Sequence, residues 1–295
     1  MNKQPSIIFL IPYFGQWPFW MPFFVESCRG NPSIDWLLVG DCAPLDNLPP
    51  NVKQRHISFA DYCAWISERL GFAFAPKSPY KLCDLKPALG YLHEQDVAGY
   101  DYWGFSDLDL IYGNLRAYFR DERLRRYKFF STHERRVSGH LCLLRNEQPL
   151  RELFREIPDF QRRVQDQKNH ALDEGAFSRL FLWRKNFPKP LFKLVGKFNR
   201  WRRVARFKEA FSTPNGVRAW TDGTQDYPEY WTWAPGSLTN AKDGAREFPY
   251  LHFLVWKKQW HKQDEPPLTL EQAQALASSQ SWHVDRKGFH PGATP

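Results

Sequence analysis

At 295 residues the chain is long enough for one large domain or two modest ones, with a substantial core in either case. Aromatic side chains make up 17% of it, with 13 Trp and 24 Phe, which excludes disorder over most of the length, and no run reaches the roughly 18–20 apolar residues of a spanning helix. The formal net charge of +9 is local: residues 184–208 hold ten Lys and Arg and no acid, so the rest of the chain sums to −1 and the basic character points to an anionic partner of that one segment.

In chain order, the apolar run Ile7–Ile11 is closed by Pro12 and followed by Gly15 and Pro18 with no small-x-small cleavage pattern; it reads as a buried first strand rather than the core of a signal peptide. A helix is predicted over Phe19–Cys28, with Pro22 in its first turn. Ile34–Val39 reads as a second strand and Val52–Phe59 as a third. Ala60–Leu70 reads as a helix capped by Gly71. Strands alternating with helices at this spacing predict an α/β fold with a largely parallel sheet, whose ligands bind beyond the carboxyl ends of the strands, where Gly15, Asp41 and Asp107 fall.

Tyr80–His93 reads as a loop and then a helix begun near Pro87. Further strands are expected at Asp101–Phe105, Lys128–Thr132 and Ser138–Leu144. Helices are expected at Asn114–Arg125, at Gln148–Ile157 and over Ala171–Phe181, the last with acids at its front. Beyond the basic segment, Arg218–Trp220 and Tyr230–Trp233 look strand-like, and Tyr250–Lys258 is the last compact apolar piece. From Lys262 onward the polar composition predicts a poorly ordered tail. These divisions give a core over 1–183, a basic aromatic segment over 184–215, a return to the core over 216–261 and a tail over 262–295. Five cysteines, odd in number and without a C-x-x-C pair, speak against a disulfide scaffold or a zinc cluster and for a reducing cytosol.

The stretch Tyr100–Gly113 carries the sharpest chemistry. Asp107 and Asp109 stand two residues apart between apolar runs, and an extended backbone would aim both into one cleft. Crowded carboxylates repel unless a cation or proton lies between them, and a hard divalent metal bridging phosphate is the usual occupant. The plainer alternative is a pair of solvated turn residues after a strand.

The segment Tyr102–Gly113, together with Tyr80–Pro87, resembles the Asp-x-Asp region of GT-A-fold glycosyltransferases, and more narrowly a family of bacterial surface-polysaccharide (capsule or O-antigen) biosynthesis proteins. The resemblance spans about residues 5–260 and is carried by a few short motifs. It implies a Rossmann-like central sheet flanked by helices, with C-terminal additions. It implies Mn²⁺ or Mg²⁺ held by Asp107 and Asp109 against the diphosphate of a nucleotide-sugar. A late histidine, His252, would complete the metal site, and Lys257 or Lys258 would neutralise phosphate. Ser138-Gly139-His140 is similar to the small-residue strand entry facing the donor sugar. Asp173 and Glu174 stand in the order of an acidic pair at the reaction centre, although the family more often shows Asn-Ser-Gly and Asp-Gln at these two places. Both also read as ordinary acids of a helix N-terminus.

Weaker candidates surround this set. Tyr13 and Gly15 follow the first strand, where a loop and an aromatic ring suit a nucleotide base and ribose; Asp41 ends the second and could accept from either. Lys81 and Lys86 could reach phosphates as point charges, Lys86 being preferred. Cations interleaved with Phe, Trp and Leu over 184–208 suit an anionic bilayer surface, with single-stranded nucleic acid as the alternative, although no zinc-finger, RNP or helix-turn-helix pattern accompanies it.

The expectation is a metal-dependent, retaining glycosyltransferase on the cytoplasmic face of the inner membrane. It would move sugar from a nucleotide-sugar to a glycan or lipid-linked acceptor approaching from the Gly139 and Asp173 side. A nucleic-acid-binding protein, a metal-dependent phosphodiesterase or nucleotidyltransferase, and a metal-free glycoside hydrolase using separated carboxylates are the other classes considered.

Overall fold

A computed structural model describes residues 3–183, 187–212, 220, 223–224, 226–263 and 265–292. Seven strands build the central sheet: β1 (Ile7–Pro12), β2 (Asp35–Gly40), β3 (Val52–His56), β4 (Tyr102–Ser106), β6 (Phe129–Ser131), β7 (Leu141–Arg145) and β8 (Ala205–Phe207). Their spatial order is β3-β2-β1-β4-β7-β6-β8. Four of the six pairings are parallel and only β7 runs against its neighbours, so the sheet is mixed but mostly parallel, as expected.

Its inner strands β1, β2, β4 and β7 are largely buried on both faces because helices cover both, whereas the edge strand β3 is mostly polar. Ile8 and Leu10 of β1 pack with Tyr62 and Ile66 of helix α2 (Phe59–Leu70). Ile7, Phe9 and Ile11 pack with Phe24 and Cys28 of helix α1 (Met21–Arg29) on the other side. Ser58 caps the start of α2 by accepting from the Asp61 N–H, and Gly71 ends it at φ +75°, the left-handed conformation a C-terminal glycine supplies without strain.

Two smaller sheets lie beyond. β5 (Leu110–Tyr112) pairs antiparallel with β11 (Tyr250–His252), in a register that sets His252 against Leu110. β9 (Tyr230–Ala234), β10 (Ser237–Asn240), β12 (Trp282–Asp285) and β13 (Gly288–Pro291) form a four-stranded sheet in the order β10-β9-β12-β13. Its inner face joins α1 through a third, aromatic core containing Trp20, Phe23, Trp233, Trp282 and Phe289.

Several expectations are corrected. Residues 265–292 are not a poorly ordered tail: they contain the helix Leu270–Ala277 and the hairpin β12–β13, because Trp282, Val284 and Phe289 supply buried anchors within an otherwise polar sequence. Asn114–Arg125 is not one surface helix but two short turns, Leu115–Tyr118 and Asp121–Arg126, with Leu115, Tyr118 and Leu124 turned into the core. The segment expected to be a loop before Pro87 is a 3-10 helix, Pro79–Ala88, that contains it. Residues 218 and 219 of the strand-like piece Arg218–Trp220, and residues 184–186 of the basic segment, lie outside the described residues.

Candidate active site

β1 and β4 are parallel neighbours, so the chain leaves both at the same edge of the sheet. Tyr13 follows β1 there and Asp107 follows β4, and both line a cavity of about 320 Å³ together with Asp109, Lys86, Lys257 and Tyr80. This is the carboxyl-end location expected of an α/β sheet. The backbone between the two acids is bent, not extended: β4 ends at Ser106 in one sheet and β5 begins at Leu110 in another. The two carboxylates therefore differ in setting. Asp107 is one-third exposed, whereas Asp109 is 4% exposed.

Pairing of β5 with β11 brings His252 to the acids, and the Phe253 N–H donates to the Asp109 carbonyl at 3.2 Å, locking the junction. His252 Nε2 lies 3.4 Å from Asp109 Oδ2, and the Lys257 ammonium lies 2.5 Å from the same oxygen. Oδ2 is thus a buried oxygen with an imidazole and an ammonium both at ion-pair distance. Burial pushes the Asp109 carboxyl up, but His252 and Lys257 outweigh it and hold it well below the usual carboxylate range. Donor atoms of Asp107, Asp109 and His252 all lie within 4.8 Å of one another. Two carboxylates and an imidazole brought this close fit Mn²⁺ or Mg²⁺.

The 3-10 helix Pro79–Ala88 brings Lys86 to the other side. Its ammonium donates to Asp107 Oδ1 at 2.5 Å and to the Gly139 carbonyl at 2.8 Å, and lies 3.7 Å from Asp173 Oδ2. Burial disfavours the charge on Lys86, yet Asp107, Cys83 and Asp173 raise its pKa above the ordinary lysine value. Asp173 is 4% exposed; burial pushes its carboxyl up to about 6 against the opposing charge of Lys86. A methyl group on Gly139 would sit 2.7 Å from Asp173 Oδ2, so this close approach requires glycine.

The other predicted residues fall further out. Glu174 pairs with Arg136 at 3.2 Å. The Gly15 N–H donates to Asp41 Oδ1 at 2.7 Å, so these two fix the loop after β1 and neither lines the cavity. Tyr13 does line it, stacked on Trp17 with ring centroids 5.5 Å apart. Lys258 is exposed on the helix Leu254–Trp260, whereas Lys257 faces the cavity. Lys81 is buried against Asp84 at 2.8 Å, away from the cavity.

Sequence reasoning missed His140 and Tyr80 as site residues. His140 stacks on His252 at 4.1 Å and its Nε2 meets the Tyr250 hydroxyl at 2.7 Å, so it backs the His252 ring. Its position after Ser138-Gly139 was the available signal. Tyr80, 70% exposed, stands at the cavity rim; it opens the Tyr80–Pro87 motif, but that motif drew attention to its lysines alone.

Residues 9–278 match the family described as "Family of unknown function (DUF6625)". The chain belongs to that family. No curated protein matches it. Among solved structures it is similar to apo mouse xyloside xylosyltransferase 1, at 12% identity over 71% of this chain and 88% of that one, with a TM-score of 0.35. It is also similar to the galactosyltransferase LgtC in complex with donor and acceptor sugar analogues, at 11% identity over 68% and 86%, TM-score 0.36. A third similarity is to the glycosyltransferase GlyE of Streptococcus pneumoniae, at 12% identity over 70% and 45%, TM-score 0.32. Likeness at these scores is one of coarse outline and transfers neither residues nor activity.

Proposed function

We propose that the chain is a metal-dependent glycosyltransferase of the GT-A type that moves a sugar from a nucleotide-sugar to a glycan or lipid-linked acceptor in bacterial surface-glycan synthesis, with retention of configuration. One observation carries the reading: ligand atoms of Asp107, Asp109 and His252 converge within 4.8 Å of one another at the edge of a cavity that both acids, Lys86 and Lys257 line. In the structure Lys257 pairs with Asp109 and Lys86 with Asp107; a divalent cation plus a diphosphate would take over both sets of partners, the acids turning to the metal and the lysines to phosphate.

In this reading Asp107, Asp109 and His252 hold the metal, which supplies charge stabilisation to the departing diphosphate. Lys86 and Lys257, both lining the cavity, meet phosphate oxygens, and Tyr13, stacked on Trp17, offers an aromatic ring for the base. Asp173, joined to Asp107 through Lys86 and packed closely on Gly139, contacts the transferred sugar. Glu174, directed to Arg136, shapes the acceptor side.

The test is thermal shift with a panel of nucleoside diphosphates with and without Mn²⁺. A matching diphosphate at about a hundredfold excess over its Kd should stabilise the protein by about 2.7 kcal/mol, only with metal. Asp107→Asn and Asp109→Asn should remove that gain while leaving circular dichroism unchanged. Stabilisation that persists in both variants would sink the metal assignment. Nucleoside monophosphate released from a nucleotide-sugar would favour the phosphodiesterase class instead.

The membrane contact rests on the helix Lys189–Gly196, where Leu191 and Leu194 are half exposed and Phe198 beyond it is 77% exposed, among cations. Among the described residues no helix is long and apolar enough to cross a membrane, so attachment would be at the surface. Each basic residue near an anionic surface contributes about 1 kcal/mol. The protein should float with liposomes containing phosphatidylserine and not with neutral ones; equal recovery in both would remove this part of the reading.

A further inference from the structure

The C-terminal hairpin carries a second cluster of metal-ligating side chains, remote in sequence from the acids of the cavity. In β12, Trp282 and Val284 are fully buried, so His283 and Asp285 alternate to the opposite face of the four-stranded sheet. His283 stands directly across the ladder from His290 of β13, and their rings stack at 5.0 Å with a 28° interplanar angle. His290 Nε2 lies 2.9 Å from Asp285 Oδ1. One ligand atom from each of the three residues falls within 4.8 Å of the others.

The carboxylate is held in place by the turn itself. Asp285 Oδ1 accepts from the Lys287 N–H at 2.6 Å and the Gly288 N–H at 3.2 Å, a closure that needs Gly288 at φ +141°. The neighbouring strand β9 adds a wall: its Tyr230 is in register with Asp285, and the Tyr230 ring meets His283 edge-on at 5.9 Å. An ordinary turn with an ion pair accounts for Asp285 and His290. It does not require a second imidazole stacked within ligand reach on the facing strand.

We propose that His283, Asp285 and His290 form a separate divalent-metal site. Two imidazoles and one carboxylate are the donor set of a borderline transition ion, with Zn²⁺ preferred over Mg²⁺ or Ca²⁺. For metal–ligand bonds of about 2.0–2.2 Å, tetrahedral ligand atoms stand roughly 3.3 Å apart, a separation that small side-chain adjustments reach from the present one. All three residues are half-buried, so an ion has access and water can fill the remaining position. The bound ion would tie β12 to β13 and fasten the C-terminal end of the four-stranded sheet. The site is independent of the cavity and of the activity proposed for it.

The experiment is equilibrium dialysis of the full untagged chain against Zn²⁺ in excess Mg²⁺, with cobalt d–d absorption as a second readout. Wild type should retain one zinc equivalent more than the His283→Gln/His290→Gln variant. Any residual binding there should be weaker by at least the ~10–100-fold that outer-shell changes alone cause. Equal zinc stoichiometry in the two proteins overturns the proposal. A measurement on unaltered protein covers the case in which the variant misfolds. Zn²⁺ should protect His283 and His290 from carbethoxylation by diethyl pyrocarbonate while Mg²⁺ does not, and equal modification with either ion overturns it as well.

Discussion

Asp109 and Asp173 are equally buried, yet their surroundings push them apart. His252 and Lys257 close on one oxygen of Asp109 and keep it ionised, whereas burial prevails at Asp173, which has Lys86 only at 3.7 Å. A carboxyl raised from 3.8 to about 6 binds more protons in the folded state than in the unfolded one between those pH values. Stability is therefore lost as pH rises through that window and regained on acidification, by up to about 3 kcal/mol for this group. Asp173→Asn removes the effect, so its stability relative to wild type should improve between roughly pH 4 and roughly pH 7.5 in urea unfolding. A difference between the two proteins that does not change with pH would show that Asp173 is not raised. At this scale the sequence was partly legible. The acids of the pair Asp107 and Asp109 are near neighbours framed by apolar residues, a local pattern. His252 could be reached only through a family resemblance, because an isolated histidine in an apolar run carries no mark of its destination.

At the scale of elements, the 3-10 helix Pro79–Ala88 does two jobs with two lysines of similar sequence setting. Lys86 faces the cavity. Lys81 is 2% exposed; it pairs with the fully buried Asp84 and donates to the carbonyls of Arg163 and Lys168, each at 2.6 Å. Asp84 in turn accepts from the N–H groups of His170 and Leu172. This clamp binds the 3-10 helix to the segment that leads into the π-helical turn Asp173–Phe177, and so sets Lys86 against Asp173. Breaking one side strands a buried charge: Lys81→Met should cost about 3–5 kcal/mol in chemical denaturation. A loss below about 1 kcal/mol would mean the pair behaves as an exposed one. Spacing alone does not separate Lys81 from Lys86; the choice is made by which face of the helix meets the 163–172 segment.

At the scale of the whole molecule, the C-terminal residues belong to the fold. Trp282 is fully buried, stacks on Trp233 at 4.7 Å and meets Phe23 of α1 edge-on at 5.0 Å. It thereby couples the four-stranded sheet to the helix that covers the central sheet. Trp282→Ala should lower stability by about 3–5 kcal/mol, measured by urea unfolding. If the cost fell below about 1 kcal/mol, the hairpin would be a detachable appendage and not part of one cooperative core.

Read alone, the chain determines the alternation of strands and helices, the cap of α2, the apolar frame of the acid pair and the confinement of excess positive charge to one segment. These follow from periodicity and composition over a few residues, where neighbours in sequence are neighbours in space. The tertiary structure decided the rest. Pairing of β5 with β11 brought His252 to Asp109, packing of the 3-10 helix separated Lys86 from Lys81, and the aromatic core drew a polar-looking C-terminal stretch into a sheet. Each of these depends on contacts between residues far apart along the chain, and such contacts leave no periodic trace in the sequence that forms them.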